Sequence, residues 1–259
     1  GTFDTICDKY FGDGEPTAVK SAAEDASKDQ LVVATNAQFA PFEYKEGDAF
    51  YGIDMEIAAL LAKELGLELV INDMPFDSVC LSVGEHKCDI AMAGLTINEE
   101  RKEYVTFTDS YYSASQKLIV KSDNKEFDKC TDVASVEAIL NSKDEKVKVG
   151  VQTGTTGDIY CTDDFGQDNV KQYANGALAV AALKNGQIDC VVIDNEPAKN
   201  FVKANEGLKI LDTEYAVEDY AIAVAKENTE LLDKINDAMA ELKADGTIDK
   251  IVDKYIPAE

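Results

Sequence analysis

Delocalised positive charge is nearly missing from this chain. Of 25 basic residues only Arg101 is an arginine, and the rest are lysines. Against 50 acidic residues they leave a formal net charge of −25. That disfavours nucleic acid or an anionic membrane as the main partner, because phosphate binding needs basic surface. The acidity itself reads as a strongly solvated surface and says little about a ligand. Histidine occurs once, at His86, and none of the six cysteines (Cys7, Cys80, Cys88, Cys130, Cys161, Cys190) lies in a Cys-x-x-Cys pair. A structural zinc site, whose ligands come in short paired spacings, is not expected. No stretch approaches the roughly 20 apolar residues that span a bilayer. The chain opens on Gly1-Thr2-Phe3 rather than on Met and an apolar signal core, which fits a removed signal segment or an engineered start.

The even cysteine count permits disulfides in an oxidising compartment. Cys80 and Cys88 are near enough in sequence to close a helix onto the next strand, and Cys130 with Cys161 is a second pairing. Buried free thiols are the alternative. Connectivity does not follow from sequence.

The lone guanidinium sits in Gly94-Leu95-Thr96-Ile97-Asn98-Glu99-Glu100-Arg101. Arginine's planar fork matches a carboxylate with two parallel hydrogen bonds, which lysine's point charge cannot do. Arg101 is therefore a candidate clamp for the carboxylate of a small ligand; an ordinary surface ion pair is the plain alternative.

The periodic structure begins at Leu31. Residues 1–29 are polar and read as a leader or tether, with one short helix over Thr17 to Ser27. Leu31 to Thr35 is a short apolar strand, and Asn36 to Phe50 a loop. In Gly52 to Gly66 the apolar residues at 53, 57, 60, 61 and 65 follow the helical period. Asp54 and Glu56 fall in its first turn, where the helix dipole favours acids. Leu67 to Ile71 is a strand, Phe76 to Val83 a helix, and Asp89 to Ala93 a strand that delivers Gly94 and Thr96 at its carboxyl end. After a crossing strand, Gln116 to Val120, the alternation resumes. Strands are expected at Val147 to Val151, Val170 to Tyr173 and Asp189 to Ile193. Helices are expected from Asp158, over Gly176 to Lys184, and from about Glu196. Tyr220 to Ala225 is a further strand, followed by helices Glu230 to Lys243 and Thr247 to Tyr255. Such alternation argues for α/β layers with mainly parallel sheets. Two similar lobes are expected: 30–112 with 218–259, and 113–217.

Several segments, in this order, carry a resemblance. They are Ala34-Thr35-Asn36 to Pro41-Phe42-Glu43-Tyr44, Gly52-Ile53-Asp54-Met55-Glu56-Ile57, and Cys88-Asp89-Ile90-Ala91-Met92-Ala93-Gly94-Leu95-Thr96. Then come Glu100-Arg101, Phe107-Thr108-Asp109-Ser110-Tyr111-Tyr112, Gly150-Val151-Gln152-Thr153-Gly154-Thr155-Thr156-Gly157 and Ile193-Asp194-Asn195. From residue 31 to about 256 the chain resembles the bacterial extracellular solute-binding proteins of the polar amino acid family, its glutamine- and arginine-binding members above all. The resemblance implies a type II periplasmic-binding-protein-like α/β fold, with two sheets flanked by helices and a ligand in the interlobe cleft. It implies capture of a free amino acid for an ABC importer by a monomer, either an extracellular membrane-tethered lipoprotein or periplasmic, that needs no cofactor or metal.

Carried over residue by residue, the resemblance implies one site. Arg101, Thr96 and the backbone N–H of Thr156 hold the ligand α-carboxylate. Asp194 and the carbonyl of Gly94 hold its α-ammonium. Phe39 and Phe76 sandwich the side chain, and Asn36 and Gln152 set selectivity. Where the family often carries an acid this chain has Asn36, and where glutamine binders can carry lysine it has Gln152. The pocket therefore reads as neutral and polar, favouring an uncharged polar amino acid. Glu43 or Asp48 reaching a cationic tip would keep basic ligands open. Two other classes stay in view: the sensory input domain of a receptor, and an enzyme of the cyclohexadienyl dehydratase kind, with a carboxylate such as Glu43 as its acid.

Overall fold

The computed structural model describes residues 14–130, 132–141, 148–212 and 215–256. Cys7 and the first 13 residues of the expected leader lie outside them. The chain divides into two compact units at Tyr112/Ser113 and at Glu218/Asp219.

Unit 1 opens with β1 (Gln30–Thr35), followed by β2 (Gln38–Phe39), β3 (Glu43–Glu46), β4 (Ala49–Tyr51) and α1 (Ile53–Glu64). Then come β5 (Glu68–Asp73), α2 (Phe76–Gly84), β6 (Ile90–Ala91) and β7 (Val105–Phe107). Unit 2 takes up β8 (Tyr112–Lys121), α3 (Val133–Asn141), β9 (Val149–Gln152), α4 (Thr156–Phe165), β10 (Val170–Tyr173) and α5 (Gly176–Lys184). It continues through β11 (Cys190–Asp194), α6 (Asn195–Ala204), β12 (Leu208–Ile210) and β13 (Ala216–Tyr220). The chain then returns to unit 1 with β14 (Ala223–Ala225), α7 (Thr229–Ala244) and α8 (Thr247–Tyr255).

The sheet of unit 1 runs β5-β1-β6-β14-β7. β1 is parallel to β5 and β6, whereas β14 is antiparallel to β6 and β7. Ala34, Ala91, Val105 and Ala223 pack with Val79 and Val83 of α2 on one side. Ile71, Met55 and Phe50 form a second cluster. α1 starts where it does because Gly52 has φ 118°, and a β-carbon there would lie 2.2 Å from the Phe42 carbonyl oxygen. Only glycine fits that approach.

Unit 2 has the order β10-β9-β11-β8-β12, with β13 pairing β8. β9 is parallel to β10 and β11, and β8 is antiparallel to β11 and β12. Leu118, Val120, Val149, Val151 and Val192 form its core with Cys161 of α4.

The differences from the sequence expectation are local. The loop 36–50 contains a three-stranded antiparallel sheet, β2-β3-β4. The expected strand Asp89 to Ala93 is confined to Ile90–Ala91, because the chain leaves the sheet to make the Gly94 turn. The expected strand Tyr220 to Ala225 is broken between β13 and β14. No helix forms over Thr17 to Ser27. Val19 instead bridges Phe50, and the Ser21 hydroxyl accepts from the Ile71 N–H at 2.8 Å, so this segment meets its backbone partners in unit 1. Cys80, Cys88, Cys130, Cys161 and Cys190 are free thiols, so neither Cys80–Cys88 nor Cys130–Cys161 is bridged. Cys88 packs in the unit 1 core with Cys80 against it, and Cys161 lies with Cys190 inside the unit 2 core. Burial pushes the thiols of Cys161 and Cys190 up, which makes them unreactive.

Candidate functional site

Unit 1 gathers six of the expected residues at the carboxyl ends of β1 and β6 and at the start of α2. Arg101 opens a short 3₁₀ turn whose first N–H is capped by Asn98 Oδ1 at 2.8 Å. Its side chain is only 8% exposed, so it is no surface ion-pair residue. The Arg101 Nη1 donates to the Thr96 carbonyl at 2.8 Å, and the guanidinium lies 5.4 Å from the centre of the Phe76 ring. One side of the fork is thus fixed by backbone and its face is covered by an aromatic ring, a cation–π placement.

Thr96 is buried and bridges Tyr220. Gly94 has a left-handed φ of 52°, and a β-carbon there would come within 3.2 Å of the rings of both Phe39 and Tyr220. Phe39 therefore lies against the Gly94 backbone. Asn36 is buried, and its amide donates to the Met74 carbonyl at 2.8 Å, which ties it to the segment leading into α2 and Phe76.

Unit 2 gathers the other three. Gln152 ends β9, is buried, and accepts at its carbonyl from the Thr155 hydroxyl at 2.8 Å. Thr155 is the N-cap of α4: its Oγ1 accepts from the Asp158 N–H at 3.3 Å, while Asp158 Oδ2 accepts from the Gly154 N–H at 3.0 Å. Such reciprocal capping fixes the helix start, and Thr156 is its first residue. N–H groups at a helix start lack partners within the helix and suit an anion. Asp194 ends β11, is buried, and stands opposite Gln116 in the β8 pairing. Gln116 donates from Nε2 to Glu218 Oε2 at 2.8 Å and to the Thr156 hydroxyl at 3.4 Å.

The structure corrects the sequence reading of Glu43. It is fully buried rather than offered to a ligand, because it lies against Asp54 inside unit 1. Asp54 was legible only as a first-turn acid. Its missed signal is position: it falls on the helix face shared by Ile57, Ala58 and Leu61, all buried. Burial raises the Asp54 carboxyl to about 6, against the opposing pull of hydrogen bonds from the Gly94 N–H, Tyr111 and Glu43. Gln116 and Glu218 were missed too. The clue was a polar residue in register with Leu118 and Val120 of an apolar strand. His86 is an exposed turn residue that pairs with Glu227 at 2.7 Å.

Residues 31–258 match the family described as bacterial extracellular solute-binding proteins, family 3. The arginine-binding extracellular protein ArtP of Bacillus subtilis is 31% identical, over 92% of this chain and 91% of its own. A probable histidine-binding protein of Neisseria gonorrhoeae is 32% identical, over 93% and 88%. Among solved structures, an ancestral arginine-binding protein bound to arginine superposes with a TM-score of 0.77 at 38% identity, covering 88% of this chain and 99% of that one. The same ancestral kind bound to glutamine gives a TM-score of 0.79 at 37% identity, covering 89% and 99%. The fold is of the type II periplasmic-binding-protein class. With a match along nearly the whole described length, this chain belongs to the bacterial extracellular solute-binding proteins, family 3.

Proposed function

We propose that this protein captures a free polar L-amino acid outside the cytoplasm, extracellularly or in a periplasm, and delivers it to an ABC importer without turning it over. The observation that carries the reading is the state of the only arginine. Arg101 is buried, oriented by the Thr96 carbonyl and stacked on Phe76. A guanidinium so prepared suits a carboxylate. In this reading Arg101 and Thr96 of unit 1 and the Thr156 N–H of unit 2 take the ligand α-carboxylate. Asp194 and the Gly94 carbonyl take its ammonium. Phe39 and Phe76 flank the side chain, and Asn36 and Gln152 read its polar end.

Asn36 and Gln152 are neutral carboxamides, and Glu43 is engaged with Asp54. This favours a ligand with an uncharged polar side chain. A basic amino acid is the second reading, favoured by relatives that bind arginine and histidine. A thermal-shift screen of the twenty amino acids with ornithine, citrulline and cystine decides between them. A ligand at a hundred times its Kd adds about 2.7 kcal/mol. No shift with any of them overturns the reading. Consumption of prephenate or arogenate would point instead to the dehydratase class, represented by a structural neighbour described as a precursor of cyclohexadienyl dehydratase.

A further inference from the structure

One buried carboxyl in unit 1 collects bonds from two separate parts of the chain. Asp54, in the first turn of α1, accepts from the Gly94 N–H at Oδ2, 2.9 Å away, and from the Tyr111 hydroxyl at Oδ1, 2.6 Å away. The carboxyl of Glu43 from β3 lies beside it. Asp54, Glu43 and Gly94 are all buried, and Asp54 and Glu43 have no exposed surface. Two neighbouring carboxyls in a dry site resist ionising together.

The bond to Gly94 has a geometric consequence. Gly94 is held in the left-handed region between the rings of Phe39 and Tyr220, and Asp54 is the group that receives its N–H. The same carboxyl holds Tyr111, whose N–H donates to the Tyr220 carbonyl at 2.9 Å. A single side chain thus fixes the glycine turn and the segment against which that turn packs.

We propose that Asp54 is a positioning residue that sets the Gly94 carbonyl for the ligand ammonium, and that amino acid binding is linked to the protonation of Asp54. This rests on the role given to Gly94 above. The groups that face Asp54 are Glu43 from β3, Tyr111 from the segment before β8 and the Gly94 amide from the turn after β6. An ammonium arriving at the Gly94 carbonyl favours the ionised aspartate. Affinity is therefore fully developed above about pH 6 and falls below it. Stability of the unliganded fold moves oppositely. The folded-state value, about 6, lies above the ordinary 3.8, so this group's contribution is fully present below 3.8 and is lost as pH rises through about 6.

The test uses L-arginine, L-histidine and L-glutamine as probes in calorimetric titrations between about pH 5 and about pH 8, where few other side chains titrate. Amide NMR of Gly94 and thermal unfolding run alongside, on the wild type, Asp54→Asn and Glu43→Gln. In the wild type the Gly94 amide titrates with a midpoint of about 6, and affinity falls by up to about tenfold per pH unit below it. Asp54→Asn removes that titration and weakens binding about tenfold at the alkaline end, while Tm stays level or rises. Glu43→Gln keeps a neutral donor beside Asp54, so the midpoint stays at about 6. A Gly94 amide that is flat across the range overturns the proposal whatever the ligand does. So does an Asp54→Asn variant that keeps the wild-type pH profile, or a Glu43→Gln variant in which the titration is lost. A titrating Gly94 in a protein that binds no amino acid locates the failure in the capture reading, and removes the linkage with it.

Discussion

Among single residues, the contrast between Arg101 and Asp54 shows what the sequence can and cannot disclose. Arg101 stood out because its chemistry was unique in the chain, and its place near Thr96 followed from a spacing of five positions, whereas the Phe76 ring that covers it was not foreseen there. Asp54 did not stand out, since an acid in a first helical turn is ordinary. Its function depends on Gly94, 40 positions away, and on Tyr111, 57 away. No local pattern records such a meeting. The Arg101 reading leads to a sharp substitution. Arg101→Lys keeps the charge and an apolar stem over Phe76 but loses the fork. Removing one charge-assisted bond is worth about 1.5–3 kcal/mol. Affinity for the ligand found in the screen should therefore drop by roughly ten- to a hundredfold. Calorimetry measures the drop, and unfolding by urea should show little change. Unaltered affinity would mean that the carboxylate is held elsewhere.

At the scale of elements, the strand–helix alternation was legible because each buried strand and each helical stripe leaves its own apolar period. The helices Gly176–Lys184 and Thr247–Tyr255 and the strand Val170–Tyr173 were read with their observed bounds. What failed were pairings made at a distance. The Val19–Phe50 bridge and the β2-β3-β4 sheet involve short polar segments that have no period of their own. The last helix is fastened in the same long-range way. Lys254 of α8 donates to Glu56 Oε2 of α1 at 2.7 Å and to the Thr17 hydroxyl at 3.0 Å, and Tyr255 donates to Glu56 Oε1 at 2.5 Å. The Lys254 and Glu56 side chains are 4% and 0% exposed, so this ion pair has left water almost completely. Its net worth against an apolar pair is small, but losing one partner strands a buried charge. Lys254→Ala should destabilise the protein by about 3–5 kcal/mol. Lys234→Ala, at an exposed i,i+4 pair with Glu230, should change stability by about 0.5 kcal/mol or less. Urea unfolding of the two variants side by side checks the contrast. Equal losses would show that burial of the Glu56 charge is not what matters.

For the whole molecule, the net charge of −25 acts on ligands before any side chain touches them. The summed field of an acidic protein raises the local concentration of cations and leaves a net-neutral zwitterion almost untouched. Salt screens such a field: the Debye length falls from about 30 Å at 0.01 M to about 8 Å at 0.15 M. The steering contribution and the contacts in the site are therefore separable by ionic strength. For L-arginine, which carries a net positive charge, association should slow several-fold between those two salt concentrations, while dissociation, set by the formed contacts, changes little. For L-glutamine, with no net charge, both rates should stay nearly constant. Stopped-flow measurements on whichever of the two binds give the result. This bears on the choice between basic and uncharged ligands, because an affinity for arginine that collapses with salt owes its strength to the field rather than to a group reading the guanidinium. An arginine affinity that persists at 0.15 M would require a carboxylate close to the ligand's tip, and neither Asn36 nor Gln152 supplies one.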